Sequence, residues 1–203
     1  MTLLLIRHGE TALNAGRVVQ PPDTPLSEVG IAQAARLAKR VAKRGLQRIV
    51  ASDLKRAHMT ADAIQAATGV AIELEPSLQE RNFGDWRGTP YTELEARKID
   101  LFADDYEPPG GESWAAFHRR VDSAWQTLRA LAMTTNGDLA IVTHGLVCSS
   151  LVQRHLGSDV AKEGFLRFDN TSLTEIESAE PWRVLLLNCT AHLDGPARDS
   201  APA

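Results

Sequence analysis

The chain has 203 residues, 43% of them hydrophobic, enough to bury a sizeable core as one domain with an insertion rather than as two domains. A formal charge of -4 leaves no broad basic face for nucleic acid, and no apolar run approaches membrane-spanning length. Only two cysteines occur, Cys148 and Cys189, without redox or metal-ligand spacing, and Met1-Thr2 leads straight into an apolar run with no leader pattern, so a reducing cytoplasm is the expected compartment.

The first element, Leu3 to Ile6, is a buried-strand pattern that ends abruptly in Arg7-His8-Gly9-Glu10-Thr11. Polar groups at the carboxyl end of such a strand stand where open α/β sheets keep their sites. Pro21-Pro22-Asp23-Thr24-Pro25 reads as a loop before a helix that starts near Ser27 and presents Ile31, Ala34, Leu37, Ala38 and Val41 on one face. Lys39, Arg40, Lys43 and Arg44 are expected on its solvated side, and Gly45 is placed to end it. Gln47 to Ser52 is a β-branched run followed by the helix-forming Asp53 to Ala61, which carries Arg56 one turn in. A short strand is expected over Val70–Leu74.

Thr89 to about Tyr106 reads as an inserted helical segment, with Thr89 as cap and Pro90 in the first turn, broken by Pro108-Pro109-Gly110-Gly111. A long amphipathic helix follows, with Trp114, Phe117, Val121, Leu128 and Leu131 at core spacing. Asp138 to Thr143 is another buried strand, ending in His144-Gly145. Leu173–Glu177 and Arg183–Leu187 are expected as closing strands, and residues 194–203 as a frayed tail. His58, His118 and His155 are expected on helix surfaces and His192 in a structural role.

Three strand ends thus deliver Arg7 with His8, Arg56, and His144. In a parallel sheet with right-handed crossovers these ends share one edge, so the residues meet in one pocket. An uncharged imidazole is a nucleophile near neutral pH, and a guanidinium fork grips phosphate oxygens. Chemistry alone does not choose an acid among Glu73, Glu75 and Glu80, which lie close together.

The chain resembles the histidine phosphatase superfamily, the phosphoglycerate mutase-like proteins. The resemblance rests on Arg7-His8-Gly9-Glu10-Thr11 with Asn14, on Ser52-Asp53-Leu54-Lys55-Arg56-Ala57 with Thr60-Ala61, on Leu78 to Gly88, and on Thr143-His144-Gly145. These four motifs fall in the family's order and span about residues 2 to 193.

The resemblance implies an α/β fold: a three-layer α/β/α sandwich with a mostly parallel central sheet and a small helical insertion over the active site, in a single domain of residues 1–193. It implies that His8 is transiently phosphorylated, that Arg7, Arg56 and His144 hold the phosphate with Asn14 as a further contact, and that Glu80 protonates the leaving oxygen. Arg81 joins the substrate-binding set, and neither a metal nor a cofactor is expected. The insertion, about 81–112, would select the substrate, with Trp86, Arg87 and Tyr91 as contacts or, for Trp86 and Tyr91, as packing onto the core. Arg87 departs from the family's phosphatase pattern, which has an acidic residue after the tryptophan.

Phe83-Gly84-Asp85-Trp86 and Pro109-Gly110-Gly111-Glu112-Ser113 resemble the phosphatase branch, and no arginine pair stands in the insertion as in the mutases. The expected function is therefore a phosphatase of small phosphorylated metabolites, against a cofactor-dependent phosphoglycerate mutase and a non-catalytic phosphate-binding module. No nucleic-acid or membrane partner is expected, and composition does not choose between monomer and homodimer.

Overall fold

The computed structural model describes residues 1–156 and 166–194. The segment 195–203, most of the expected tail, lies outside the described residues.

Strand β1 (Thr2–Arg7) forms the centre of a six-stranded sheet with β2 (Leu46–Ala51), β3 (Ile72–Leu74), β4 (Asp138–Thr143), β5 (Leu173–Glu177) and β6 (Val184–Cys189). The order is β3-β2-β4-β1-β5-β6. The first four in this order are mutually parallel, and β5 runs antiparallel to both β1 and β6. Because side chains alternate across a strand, Leu3 and Leu5 of β1 join Leu139 and Ile141 of β4 on one face. Leu4, Ile6, Ala140 and Val142 lie on the other.

Six helices complete the described chain: α1 (Ala12–Ala15), α2 (Glu28–Val41), α3 (Lys55–Thr68), α4 (Tyr91–Ala96), α5 (Trp114–Thr134) and α6 (Gly145–His155). Helices α2 and α3 cover one face through Leu37, Val41, Ala57, Ala61 and Ile64. Helices α5 and α6 cover the other through Phe117, Val121, Trp125, Val147 and Leu151. The sheet is thus sandwiched in three layers, and its faces are near-continuously apolar as a doubly covered parallel sheet requires.

Two expected helix limits give way to tertiary contacts. Helix α2 is capped by Ser27, whose side chain accepts from Gly30 N–H, but it ends at Val41. Gly45 lies beyond it, where its carbonyl receives Asp138 N–H at 2.8 Å. Ile31, expected on the apolar face, is 52% exposed. Lys39 and Lys43 are exposed as expected. Arg44 instead turns to Asp138 at 2.9 Å and Glu175 at 2.8 Å, and Arg40 reaches Cys189 and His192. The inserted helix is shorter than expected and starts one residue later. Pro90 occupies the cap position, α4 stops at Ala96, and Lys98 adopts a left-handed φ of 57°. Beyond it the carboxylate of Asp100 bonds Phe102 N–H, and such local bonding by aspartates competes with helix.

β3 begins at Ile72 rather than Val70, and β6 is displaced to Val184–Cys189. His118 and His155 are not simple surface groups: His118 stacks on Trp114 and lies 3.0 Å from Ser150 Oγ, while His155 bonds Asp122. His192 lies 3.1 Å from Thr171 Oγ1 in a structural contact.

The insertion is anchored by a small core of its own. Val19, Phe83, Leu94 and Leu101 are buried together, and Trp86, Tyr91, Ile99 and Tyr106 pack against them. Gly84, at φ 54°, is required here, because a Cβ would stand 2.0 Å from Pro109 O. The Phe83-Gly84-Asp85-Trp86 turn therefore lies directly on the Pro109-Gly110-Gly111 loop.

Candidate active site

β1, β2 and β4 end at the same edge, and the polar residues after them converge on a cavity of about 680 Å³. Arg7, His8, Asn14, Arg56, Glu80 and Arg81 line it together with Gly145 and Leu146. His144 is fully buried at the junction of β4 and α6, its ring centroid 5.1 Å from that of His8.

His8 is held by the turn that follows it. Its Nδ1 lies 2.7 Å from Gly9 O, its carbonyl accepts from Thr171 N–H and Asn170 Nδ2, and Gly9 N–H donates to Thr60 Oγ1. Gly9 and Gly30 permit this turn to lie on α2, since a Cβ on Gly30 would fall 2.0 Å from Glu10 O. Thr11 caps α1, and Glu10 accepts from Ser27 Oγ at 2.9 Å, so both shape the turn.

The cationic walls carry unused donors. Arg7 donates to Phe168 O through Nη1, and Arg56 to Pro21 O at 3.2 Å. The buried Nε of each, and Nδ1 of His144, have no protein partner. His144 Nε2 lies 2.8 Å from Ser52 Oγ. Buried donors are nearly always satisfied, and of these three side chains Arg7 and Arg56 line the cavity, while the buried His144 ring lies beside that of His8. Asn14 accepts from Thr11 N–H and Asn170 Nδ2, which leaves its NH₂ uncommitted.

Burial sets the protonation states. Desolvation, followed by repulsion from Arg56 and Arg7, holds His8 well below the ordinary imidazole value. Desolvation and the charges of Arg56, His8 and Arg7 do the same to His144. Burial pulls Arg56 down to about 10, against the attraction of Glu80. Glu80 moves the other way: desolvation raises it, opposed by bonds from Leu146 N–H at 3.1 Å and Arg81 N–H at 3.0 Å and by the arginine charges.

The segment that carries Glu80 is also held by Arg120, which carried no sequence signal. Arg120 donates to the carbonyls of Ser77 and Gln79, both at 2.8 Å, and forms a two-armed ion pair with Glu112. Thr143 Oγ1 ties the β4 end to Leu78 O. Ser52 and Thr60 lie in the second motif and were identifiable as members of it, but Asn170, Phe168 and Arg120 were not.

Arg81 is 2% exposed, and its Nε, Nη1 and Nη2 donate to the carbonyls of Glu112, Leu101 and Tyr106. Its guanidinium lies 4.0 Å from the Trp114 ring centroid. It lines the cavity, and its three carbonyl contacts also make it the tether of the insertion. Trp86 likewise packs, with Nε1 2.7 Å from Tyr106 OH, whereas Tyr91 and Arg87 line the cavity.

The fold and the site are those of a family of phosphoryl-handling proteins, and the chain belongs to the histidine phosphatase superfamily (branch 1), whose model matches residues 3–190. It is 33% identical over 98% of both chains to the probable phosphoglycerate mutase GpmB of Yersinia pestis (strain Pestoides F). Among solved structures it resembles a mycobacterial glucosyl-3-phosphoglycerate phosphatase, with 29% identity, coverage of 92% and 98%, and a TM-score of 0.79. It also resembles a putative alpha-ribazole-5'-P phosphatase from Escherichia coli, with 26% identity, coverage of 94% and 97%, and a TM-score of 0.83. Members with this fold thus include phosphatases and a probable mutase. Among the described residues, no helix is long and apolar enough to cross a membrane.

Proposed function

We propose that the protein hydrolyses phosphomonoesters of small metabolites through phosphorylated His8. The observation that carries this reading is the meeting in one cavity of Arg7 and Arg56, each with an unpartnered Nε, a neutral His8 and a Glu80 carboxyl group raised by burial, with the buried His144 ring 5.1 Å from that of His8. Nε2 of His8 attacks phosphorus while the ester oxygen leaves, and Arg7, Arg56 and His144 hold the transferring group and its developing charge. Glu80 gives its proton to the departing alkoxide and then takes one from the water that attacks the phosphohistidine. The products are the alcohol and inorganic phosphate, with His8 restored.

Asn14 adds its NH₂ to the phosphate oxygens, and the substrate's alcohol part lies against the insertion. The same reading sets the protein in the cytoplasm, with Cys148 and Cys189 as free thiols.

A mutase would return the phosphoryl group to a second hydroxyl instead of to water, and the GpmB relative carries that name. Winning against water requires cationic anchors and water exclusion from the insertion. Of the insertion's arginines, Arg81 is committed to carbonyls and Arg97 to Glu93, so Arg87 stands as a single exposed anchor without an adjacent arginine, which favours hydrolysis. Purified protein supplied with 3-phosphoglycerate and catalytic 2,3-bisphosphoglycerate is expected to release phosphate faster than it forms 2-phosphoglycerate. Isomer exchange outpacing phosphate release overturns the phosphatase in favour of the mutase. Phosphate binding without either reaction leaves a non-catalytic binding module.

A further inference from the structure

The cavity is larger than the phosphoryl chemistry needs. At about 680 Å³ it is the size of sites that enclose whole small molecules, and the phosphate donors occupy only its floor. The alcohol part of the substrate must fill the remainder. Leu13, Val18, Phe83 and Tyr91 make part of that wall apolar. Arginines add positive charge elsewhere in the lining.

Besides Arg81, whose donors are committed to carbonyls, three arginines outside the phosphate floor line the cavity: Arg17, Arg87 and Arg167. Arg17 is paired with Glu95 at 3.1 Å. Arg87 and Arg167 are exposed, and their guanidinium groups form no hydrogen bond or ion pair among the described residues. The charge of Arg87 is felt by Arg56, behind β2, and that of Arg167 by Arg7, at the end of β1. Asp169, the acidic neighbour on the Arg167 side, bonds Asn188 at 3.0 Å.

Charge balance makes Arg87 informative. A phosphomonoester dianion is matched by Arg7 and Arg56, so Arg87 keeps an unmatched positive charge beside the space for the alcohol, in a chain of net charge -4. Like charges aimed at one cavity repel, and an anion between them relieves this. A planar guanidinium accepts a carboxylate or phosphate through two parallel donors. A neutral alcohol would cover the apolar wall and leave Arg87 unanswered.

We infer that Arg87 determines specificity by receiving a second anionic group on the alcohol part of the substrate, with Arg167, which also lines the cavity, assisting. The inference rests on the phosphatase reading and narrows its substrates to phosphomonoesters that carry another carboxylate or phosphate.

The test compares 4-carbamoylphenyl, 4-carboxyphenyl and 4-phosphonophenyl phosphates, which present a neutral, a singly charged and a more highly charged group at the same place. Wild-type kcat/KM is expected to favour the 4-carboxyphenyl ester over its neutral isostere by roughly tenfold, through KM, the scale of one charge-assisted hydrogen bond at a partly exposed site. The ratio should shrink in high salt and fall towards one in Arg87→Gln, whatever the absolute rates, while Arg87→Lys keeps part of it. The 4-phosphonophenyl ester reports which anion is preferred. A wild-type ratio near one, or a ratio unmoved by Arg87→Gln, overturns the inference while hydrolysis of the neutral ester keeps the phosphatase reading intact. Failure to hydrolyse any of the three counts against that reading instead. The matching non-hydrolysable arylphosphonates then read the Arg87 preference by calorimetry, with equal affinities again overturning it.

Discussion

Nδ1 of His8 lies 2.7 Å from the carbonyl oxygen of Gly9, the next residue in the chain. A carbonyl only accepts, so Nδ1 carries the proton and Nε2 carries the lone pair. The backbone thereby fixes the tautomer needed for attack. His8→Ala is expected to lower phosphatase turnover at least about 10⁴-fold, the scale for loss of a nucleophile. An acid-labile phosphoenzyme should be trapped by rapid quench in wild type and not in the variant. Persistent turnover in His8→Ala would assign the chemistry elsewhere.

Glu80 and His8 set the pH range. His8 titrates below its ordinary 6.5 because burial and the flanking arginines disfavour the cation, so the acid limb of kcat/KM falls below that value. Glu80 titrates above its ordinary 4.5 because burial disfavours the carboxylate, so activity declines as pH rises through that raised value. The profile should be a bell whose alkaline limb disappears in Glu80→Gln. Alkyl phosphates should lose far more rate in this variant than aryl phosphates, whose phenolates leave with little help. Equal losses on both would make Glu80 architectural.

The same displacement of His8 and His144 has a stability consequence. Between 6.5 and their lowered folded values, the unfolded chain binds protons that the folded chain does not, so stability falls as pH drops below 6.5. Urea midpoints measured from pH 7.5 down to 5.5 should decline. The His8→Ala variant should show a shallower decline.

Arg81 holds the insertion to the core through three carbonyls, so Arg81→Leu should unpair them together. A loss of about 2–4 kcal/mol is expected for buried acceptors left without partners. Hydrogen exchange should show it as faster opening of residues 99–112 than of β1 or β4. A rise in KM with unchanged stability and exchange would assign Arg81 to substrate binding instead.

Gly30 lies inside α2, where alanine is favoured by about 1 kcal/mol on helix propensity. The added Cβ would meet Glu10 O at 2.0 Å, a backbone atom that cannot turn away. Overpacking of this kind costs about 1–3 kcal/mol or more, so the clash wins. Gly30→Ala should be less stable than wild type in denaturant titration and should lower kcat, because Glu10 lies two residues from His8.

The strand ends that carry Arg7, His8, Arg56 and His144 were legible because each is local: an apolar run closes on a polar residue, and parallel pairing brings such ends to one edge. The cap at Ser27 and the buried face of α5 were legible for the same reason, since both depend on residues within a few positions. Element limits in the insertion were not, because turn-forming side chains there compete with a weak helix.

The sequence by itself determined which reactive groups exist and that they close strands at one sheet edge, and its family resemblance implied the three-layer arrangement that unites them. The tertiary structure alone decided which arginines remain available. Arg40, Arg44, Arg81 and Arg120 look as free in the sequence as Arg7, Arg56 and Arg87, yet the first four are engaged by carbonyls, carboxylates or a thiol from distant segments, while Arg7 and Arg56 each give one bond to a carbonyl and keep Nε without a partner. A guanidinium's role depends on whether its donors already have acceptors, and the acceptors are backbone and side-chain groups whose positions follow from packing rather than from sequence neighbours.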